Sequence, residues 1–137
     1  MGELLRLIVV DDEENSLLIT KEIMSFHDKT LDIRTSCSPL EALEWVRDNP
    51  PDCVISDFRM PEMDGIEFTR RLRKSSGVPV ILYTNQSFAD VAEEAFEAGV
   101  DDYVRKDDDA RHFLLLRRRV QSVVDRHRMK LLLNQVL

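Results

Sequence analysis

Acidic side chains stand at the ends of two apolar runs. Leu7-Ile8-Val9-Val10 leads into Asp11-Asp12-Glu13, and Cys53-Val54-Ile55-Ser56 leads into Asp57. A buried strand that ends in a carboxylate delivers it outside the carboxyl end of an open α/β sheet, where ligands bind. Asp11, Asp12 and Asp57, brought together, would repel one another, so such a set calls for a cation. Oxygen-only ligands suit Mg²⁺, which keeps some of its waters and shares phosphate oxygens. Thr84 ends another apolar run and Lys106 follows a fifth, on the same predicted sheet edge. A Lys there can offset charge on a phosphoryl group, and a Thr hydroxyl can hydrogen-bond one of its oxygens. Taken singly, acidic residues decorate loops, a strand-end Lys is a surface residue and a strand-end Thr is a cap. Their combination points to a metal or phosphoryl site. Glu13 and Glu14 read as solvent-facing residues that favour a helix start.

The elements that must position these groups follow from periodicity. Residues 5–10 form a nearly continuous apolar strand, as expected where helices cover both faces of a parallel sheet. A helix over 14–27 draws its apolar face from Leu17, Leu18, Met24 and Phe26. Leu31, Ile33 and Thr35 alternate with Asp32 and Arg34 in a partly exposed strand. Ser38 caps the next helix, with Pro39 at its first position and Glu41 completing a capping box. Leu40, Leu43 and Val46 lie on that helix, and Asn49-Pro50-Pro51 stops it. Strands over 52–56, 79–84 and 103–105 alternate with helices over 64–74 and 87–98, the latter ended by Gly99. A last helix begins near Asp109 and persists past residue 130. Five βα units with short loops predict a doubly wound three-layer α/β sandwich.

The 137 residues suffice for one domain with a real core, and 4 Gly and 5 Pro argue against fibrous or disordered classes. The net charge of −7 is unevenly spread: residues 1–110 carry 12 basic and 25 acidic side chains, and the last 27 residues carry seven and one. The acidic body disfavours non-specific nucleic-acid binding. Cys37 and Cys53 lack a metal or disulfide spacing, which fits a reducing, cytoplasmic setting. The apolar run at the N-terminus is too short to cross a membrane and lacks a basic lead, and Gly2 makes a poor acylation site.

Asp11-Asp12, Asp57 with Met60-Pro61 and Asp64-Gly65, Thr84, and Tyr103 with Lys106 together make residues 5–125 resemble the receiver domains of two-component response regulators. The resemblance implies the flavodoxin-like fold with strand order 2-1-3-4-5. It implies that Asp57 takes a phosphoryl group from a sensor histidine kinase or phosphotransfer domain and becomes a phosphoaspartate. It further implies that Asp11, Asp12, Asp57 and the backbone carbonyl of Arg59 hold Mg²⁺. Thr84 and Lys106 match the positions that contact the phosphoryl oxygens. Thr84 and Tyr103 match the switch residues, Tyr103 being the aromatic ring whose rotamer reports phosphorylation. Arg59 and Gln86 fill variable positions that tune hydrolysis. Such a domain catalyses only its own phosphorylation and dephosphorylation and is not a turnover enzyme.

The chain departs from the family pattern at two places. Asp107 follows Lys106 where proline is usual, so a trans peptide is expected, because a non-proline cis bond costs about 2.5–4 kcal/mol. Asn85 replaces a small residue after Thr84 and is expected to narrow phosphoryl access. A phosphorylation-independent interaction module with the same fold is the alternative reading. An acid-phosphatase-like hydrolase is a third, for which no catalytic acid presents itself. His27, His112 and His127 read as structural or exposed, and Trp45 as packing. Phe113, Leu116, Val120, Val123 and Val124 would pack the last helix on the sheet. Residues 126–137 read as a helical extension or linker, and Leu131, Leu132, Leu133, Val136 and Leu137 suit a homodimer or a fused output domain. No recognition helix-turn-helix follows the basic Arg117-Arg118-Arg119 and Arg126-His127-Arg128 clusters, which argues against direct DNA binding.

Overall fold

A computed structural model describes residues 3–136; Met1, Gly2 and Leu137 lie outside the described residues. Strands β1 (Leu5–Val10), β2 (Leu31–Ser36), β3 (Cys53–Ser56), β4 (Val80–Thr84) and β5 (Asp102–Arg105) form one sheet of order β2-β1-β3-β4-β5. All four pairings are parallel, with Val10 opposite both Ser36 and Ser56, and Thr84 opposite Arg105. This is the doubly wound, flavodoxin-like architecture that the alternation and the resemblance imply.

Helices α1 (Glu14–His27) and α5 (His112–Val136) cover one face, where Leu7, Ile55, Ile81, Leu116 and Val120 are buried. Helices α2 (Pro39–Asp48), α3 (Gly65–Arg73) and α4 (Ala92–Ala98) cover the other, over Val10, Val54, Phe68 and Leu82. Strands enclosed on both faces explain the apolar runs 7–10 of β1, 53–55 of β3 and 80–83 of β4. Asp57 N donates to Val10 O at 2.9 Å and Lys106 N to Thr84 O at 2.9 Å. These bonds carry the parallel register one residue past the strand ends.

Several local expectations are corrected. Leu18 and Phe26 on α1 and Leu40 on α2 are exposed, so the buried stripes are Leu17, Thr20 and Met24 on α1 and Pro39, Ala42 and Val46 on α2. A sheet-facing stripe covers only part of a helix, and apolar residues beside it stay in solvent. Ser38 caps α2 by accepting from Glu41 N at 3.2 Å, with Pro39 at the first turn. The return half of the capping box is not made. Glu41 Oε1 instead accepts from Ser36 Oγ, and Ser36 Oγ accepts from Ser38 N. The single helix expected over 87–98 is a 3-10 turn at Phe88–Asp90 followed by α4. Gly99 ends α4 at φ 104°, a left-handed conformation that glycine adopts without strain. Helix α5 starts at His112, three residues later than expected, and runs 25 residues.

Candidate functional site

The carboxyl ends of β1, β3, β4 and β5 place Asp11, Asp57, Thr84 and Lys106 on one edge of the sheet. Asp11 is buried, Asp57 half-buried and Asp12 exposed, and one carboxylate oxygen from each lies within 4.8 Å of the others. Lys106 Nζ donates to Asp11 Oδ2 at 2.6 Å and to Ser16 Oγ at 3.2 Å, and stands 3.8 Å from Asp57 Oδ2. Asp57 Oδ1 accepts from Phe58 N at 2.8 Å, and Asp11 Oδ1 from Glu13 N at 3.0 Å. These bonds fix two of the carboxylates and leave further lone pairs for a ligand.

Burial pushes the Asp57 carboxyl above its ordinary range, and the neighbouring Asp11 charge adds to the effect. The Lys106 ammonium, the Thr84 hydroxyl and the Phe58 amide oppose it without reversing it. Lys106 is one cation against three carboxylates. A divalent cation among them would supply the missing positive charge, and an all-oxygen donor set is chemically suited to one.

Gly65 brings α3 against this edge. Its amide donates to Phe58 O at 2.7 Å, and a Cβ there would lie 2.5 Å from the Asp57 carbonyl oxygen and 2.8 Å from Leu82 Cδ2. Asp64 caps the helix by accepting from both Ile66 N and Glu67 N. The loop between β3 and α3 lines a cleft beside Asp12 with Phe58, Arg59, Met60, Pro61 and Asp64, which brings Arg59 next to the acidic set. On the far side, Gln86 N donates to Thr84 Oγ1 at 3.2 Å, and Tyr103 Oη donates to Gln86 O at 2.7 Å. Tyr103 is thus tied to the turn that carries Thr84. Asn85 in that turn is exposed. Among the described residues there is no cis peptide bond, in keeping with Asp107 after Lys106.

The fold brings together the expected residues on β1, β3, β4 and β5. Ser16 was not singled out from the sequence, and Gly65 entered there only as part of the Asp64-Gly65 motif. A serine in a helix's first turn carries no signal, whereas Asp64-Gly65 marks a cap without showing how closely the backbones approach. His27 is exposed, His112 packs on Phe113 with ring centroids 4.0 Å apart, and Trp45 lies under the Arg34 guanidinium at 3.4 Å. No described helix is long and apolar enough to cross a membrane.

Residues 7–116 match the protein family described as response regulator receiver domain. The chain belongs to that family. It is 33% identical over 105 residues to the cyclic di-GMP phosphodiesterase response regulator RpfG of Xanthomonas campestris, covering 74% of this chain and 28% of that protein. It is 32% identical over 120 residues to the transcriptional regulatory protein SrrA of Staphylococcus aureus, covering 85% and 49%. The chain therefore spans about half or less of the length of these curated relatives. A CheY-like receiver domain from Methanospirillum hungatei superposes with a TM-score of 0.81 over 93% of this chain and 99% of that one, at 22% identity. A receiver domain from Clostridium thermocellum gives 0.80 over 92% and 98%, at 26% identity. The chain is accordingly a receiver domain, and its Asp11, Asp12 and Asp57 cluster is consistent with the phosphoacceptor and metal site of that family.

Proposed function

We propose that Asp57 is the phosphoacceptor and that Asp11, Asp12, Asp57 and the Arg59 carbonyl hold Mg²⁺ during transfer. The observation that carries this reading is the half-buried Asp57 carboxylate lying 3.8 Å from the Lys106 ammonium, within one acidic cluster. The donor would be a phosphohistidine on a sensor kinase or phosphotransfer domain. An Asp57 carboxylate oxygen forms the new P–O bond as the donor's P–N bond breaks, and the imidazole leaves with the electron pair. Bound Mg²⁺ would offset charge on the transferring group and orient its oxygens. Lys106 and the Thr84 hydroxyl stabilise the remaining oxygens. In the separate hydrolysis step, water attacks phosphorus as the P–O bond to Asp57 breaks, so that inorganic phosphate departs and the carboxylate leaves with the electron pair. Arg59, Asn85 and Gln86 border the site and set how readily water enters.

Phosphorylation then biases two arrangements of the turn bearing Thr84 and of Tyr103, whose hydroxyl already bridges to it. We assign residues 5–125 to the receiver and the rest of α5 to an extension that pairs with a second copy or leads to an output domain. The setting proposed for this phosphotransfer is the cytoplasm.

Intact-mass spectrometry with peptide mapping, after exposure to acetyl phosphate and Mg²⁺, tests the assignment. One phosphoryl group on the Asp57 peptide, lost in Asp57→Asn and without Mg²⁺, is expected. An adduct that persists in Asp57→Asn would overturn it. No adduct with any donor, including a competent kinase, would favour an interaction module.

A further inference from the structure

Tyr83 precedes Thr84 on β4, and its side chain is buried on the α1–α5 face with Phe113 and Leu116. Its hydroxyl lies 2.6 Å from His112 Nε2, and the two rings stack with centroids 5.6 Å apart. His112 opens α5, and its Nδ1 lies 2.8 Å from the Asp109 carbonyl oxygen. A carbonyl only accepts, so Nδ1 carries a proton. In the neutral imidazole Nε2 is then the acceptor, and Tyr83 donates to it. Burial pushes the Tyr83 hydroxyl up to about 12 against a smaller lowering by the Thr20 side chain of α1, so it stays protonated across the neutral range.

The same ring reaches toward the phosphoryl site: Lys106 Nζ stands over it, 5.2 Å from the Tyr83 ring centroid. Beyond its bonds to Asp11 and Ser16, Lys106 has little cover from the loop that follows it. Every residue from Asp107 to Arg111 is exposed, and His112 is the first after Lys106 to turn back into the protein. A lysine side chain has many rotamers to lose when it is ordered. An aromatic face attracts its ammonium without supplying a carboxylate that would compete with a phosphoryl group.

We propose that Tyr83 and His112 are positioning residues for Lys106. The phenol ring supports the ammonium within reach of Asp57, and the bond to His112 fixes that ring to the first turn of α5. This inference rests on the reading of Asp57 as phosphoacceptor. Neither residue is expected to touch the phosphoryl group, so their effect runs through the lysine.

The test is time-resolved phosphorylation of the full chain by acetyl phosphate and Mg²⁺, followed by intact mass, with Mg²⁺ affinity and thermal unfolding measured alongside. Tyr83→Leu, which removes the aromatic face, is expected to slow phosphoryl addition about tenfold while Mg²⁺ affinity stays within about twofold. Tyr83→Phe and His112→Phe keep the aromatic face but release the tie, and each should slow addition about threefold, with the double variant no slower than either. In a Lys106→Ala background, Tyr83→Leu should change the rate by less than about twofold, because no cation remains to be positioned. A merely structural role would lower the rate equally with and without the lysine, and that result would overturn the proposal. So would a folded Tyr83→Leu that reacts as fast as the unmodified chain. If Tyr83→Leu does not fold, the two phenylalanine variants decide, and unchanged rates in both overturn the proposal. An unmodified chain that accepts no phosphoryl group removes the Asp57 reading and this inference with it. Phosphorylation of the unmodified chain with indifferent variants removes this inference alone.

Discussion

At the scale of single residues, the site balances one ammonium against three carboxylates. Lys106 Nζ sits 2.6 Å from Asp11 Oδ2, on a carboxylate that would also help hold a metal. Lys106→Ala is therefore expected to tighten Mg²⁺ binding by about three- to tenfold, read by isothermal titration, while slowing phosphorylation. An unchanged or weakened affinity would mean that Lys106 and the cation do not compete. Gly65 is constrained by contact rather than by charge. Its missing Cβ leaves room for the Asp57 carbonyl, against which a methyl group would stand at 2.5 Å. Gly65→Ala is expected to cost about 1–3 kcal/mol in urea unfolding through overpacking. It should also slow phosphorylation, because relief of the clash displaces the strand end that carries Asp57.

At the scale of elements, α1 and α5 are joined by a half-buried ion pair. Asp28 Oδ2 accepts from Arg117 Nε at 2.6 Å, and Asp28 Oδ1 accepts from both Thr30 N and Thr30 Oγ1. The Thr30 hydroxyl, foremost, and Arg117 hold the Asp28 carboxyl down at about 2, against the desolvation that raises it. A carboxyl depressed on folding contributes stability above its unfolded value, and that contribution is lost as pH falls toward the folded one. Asp28→Asn mimics the protonated side chain. It is expected to cost about 2 kcal/mol at neutral pH, with the gap to the unmodified protein closing between about pH 4 and pH 2. Chemical unfolding at several pH values checks this, and a gap independent of pH would place the effect outside the ionised carboxylate. The other face has its own tie: Arg73 of α3 donates to the carbonyls of Ser76, Val78 and Gly99 and pairs with Asp101 at 2.9 Å. It holds the turns before β4 and β5, whose far ends carry Thr84 and Lys106.

At the scale of the whole molecule, α5 is the element that outgrows the domain. Its buried residues end at Val124, yet the helix continues to Val136 with Met129, Leu131, Leu132, Leu133 and Val136 exposed. Met129, Leu132 and Val136 are spaced three and four residues apart, the repeat of a helix-pairing seam. Sedimentation velocity is expected to show concentration-dependent association of the full chain and a monomer after truncation at Arg128. Identical monomer masses for both across a wide concentration range would remove self-association through this helix.

The βα alternation, the strand-end positions of Asp11, Asp57, Thr84 and Lys106, the Ser38-Pro39 helix start and the Gly99 stop are all legible in the amino-acid order. Each is written in local periodicity or in the conformational preference of one residue, so neighbouring positions suffice to read it. Tertiary structure decided which apolar residues are covered, since Leu18, Phe26 and Leu40 satisfy a helical pattern yet face solvent beside the buried stripe. It also decided that Lys106 leans on Asp11 rather than Asp57, across 95 positions of chain, and that Ser16 completes its shell. The close approach of Gly65 to Asp57 and the Tyr83–His112 bond belong to the same class. Such contacts depend on how helices settle against the two faces of the sheet, and packing of that kind joins residues whose local sequences carry no mark of each other.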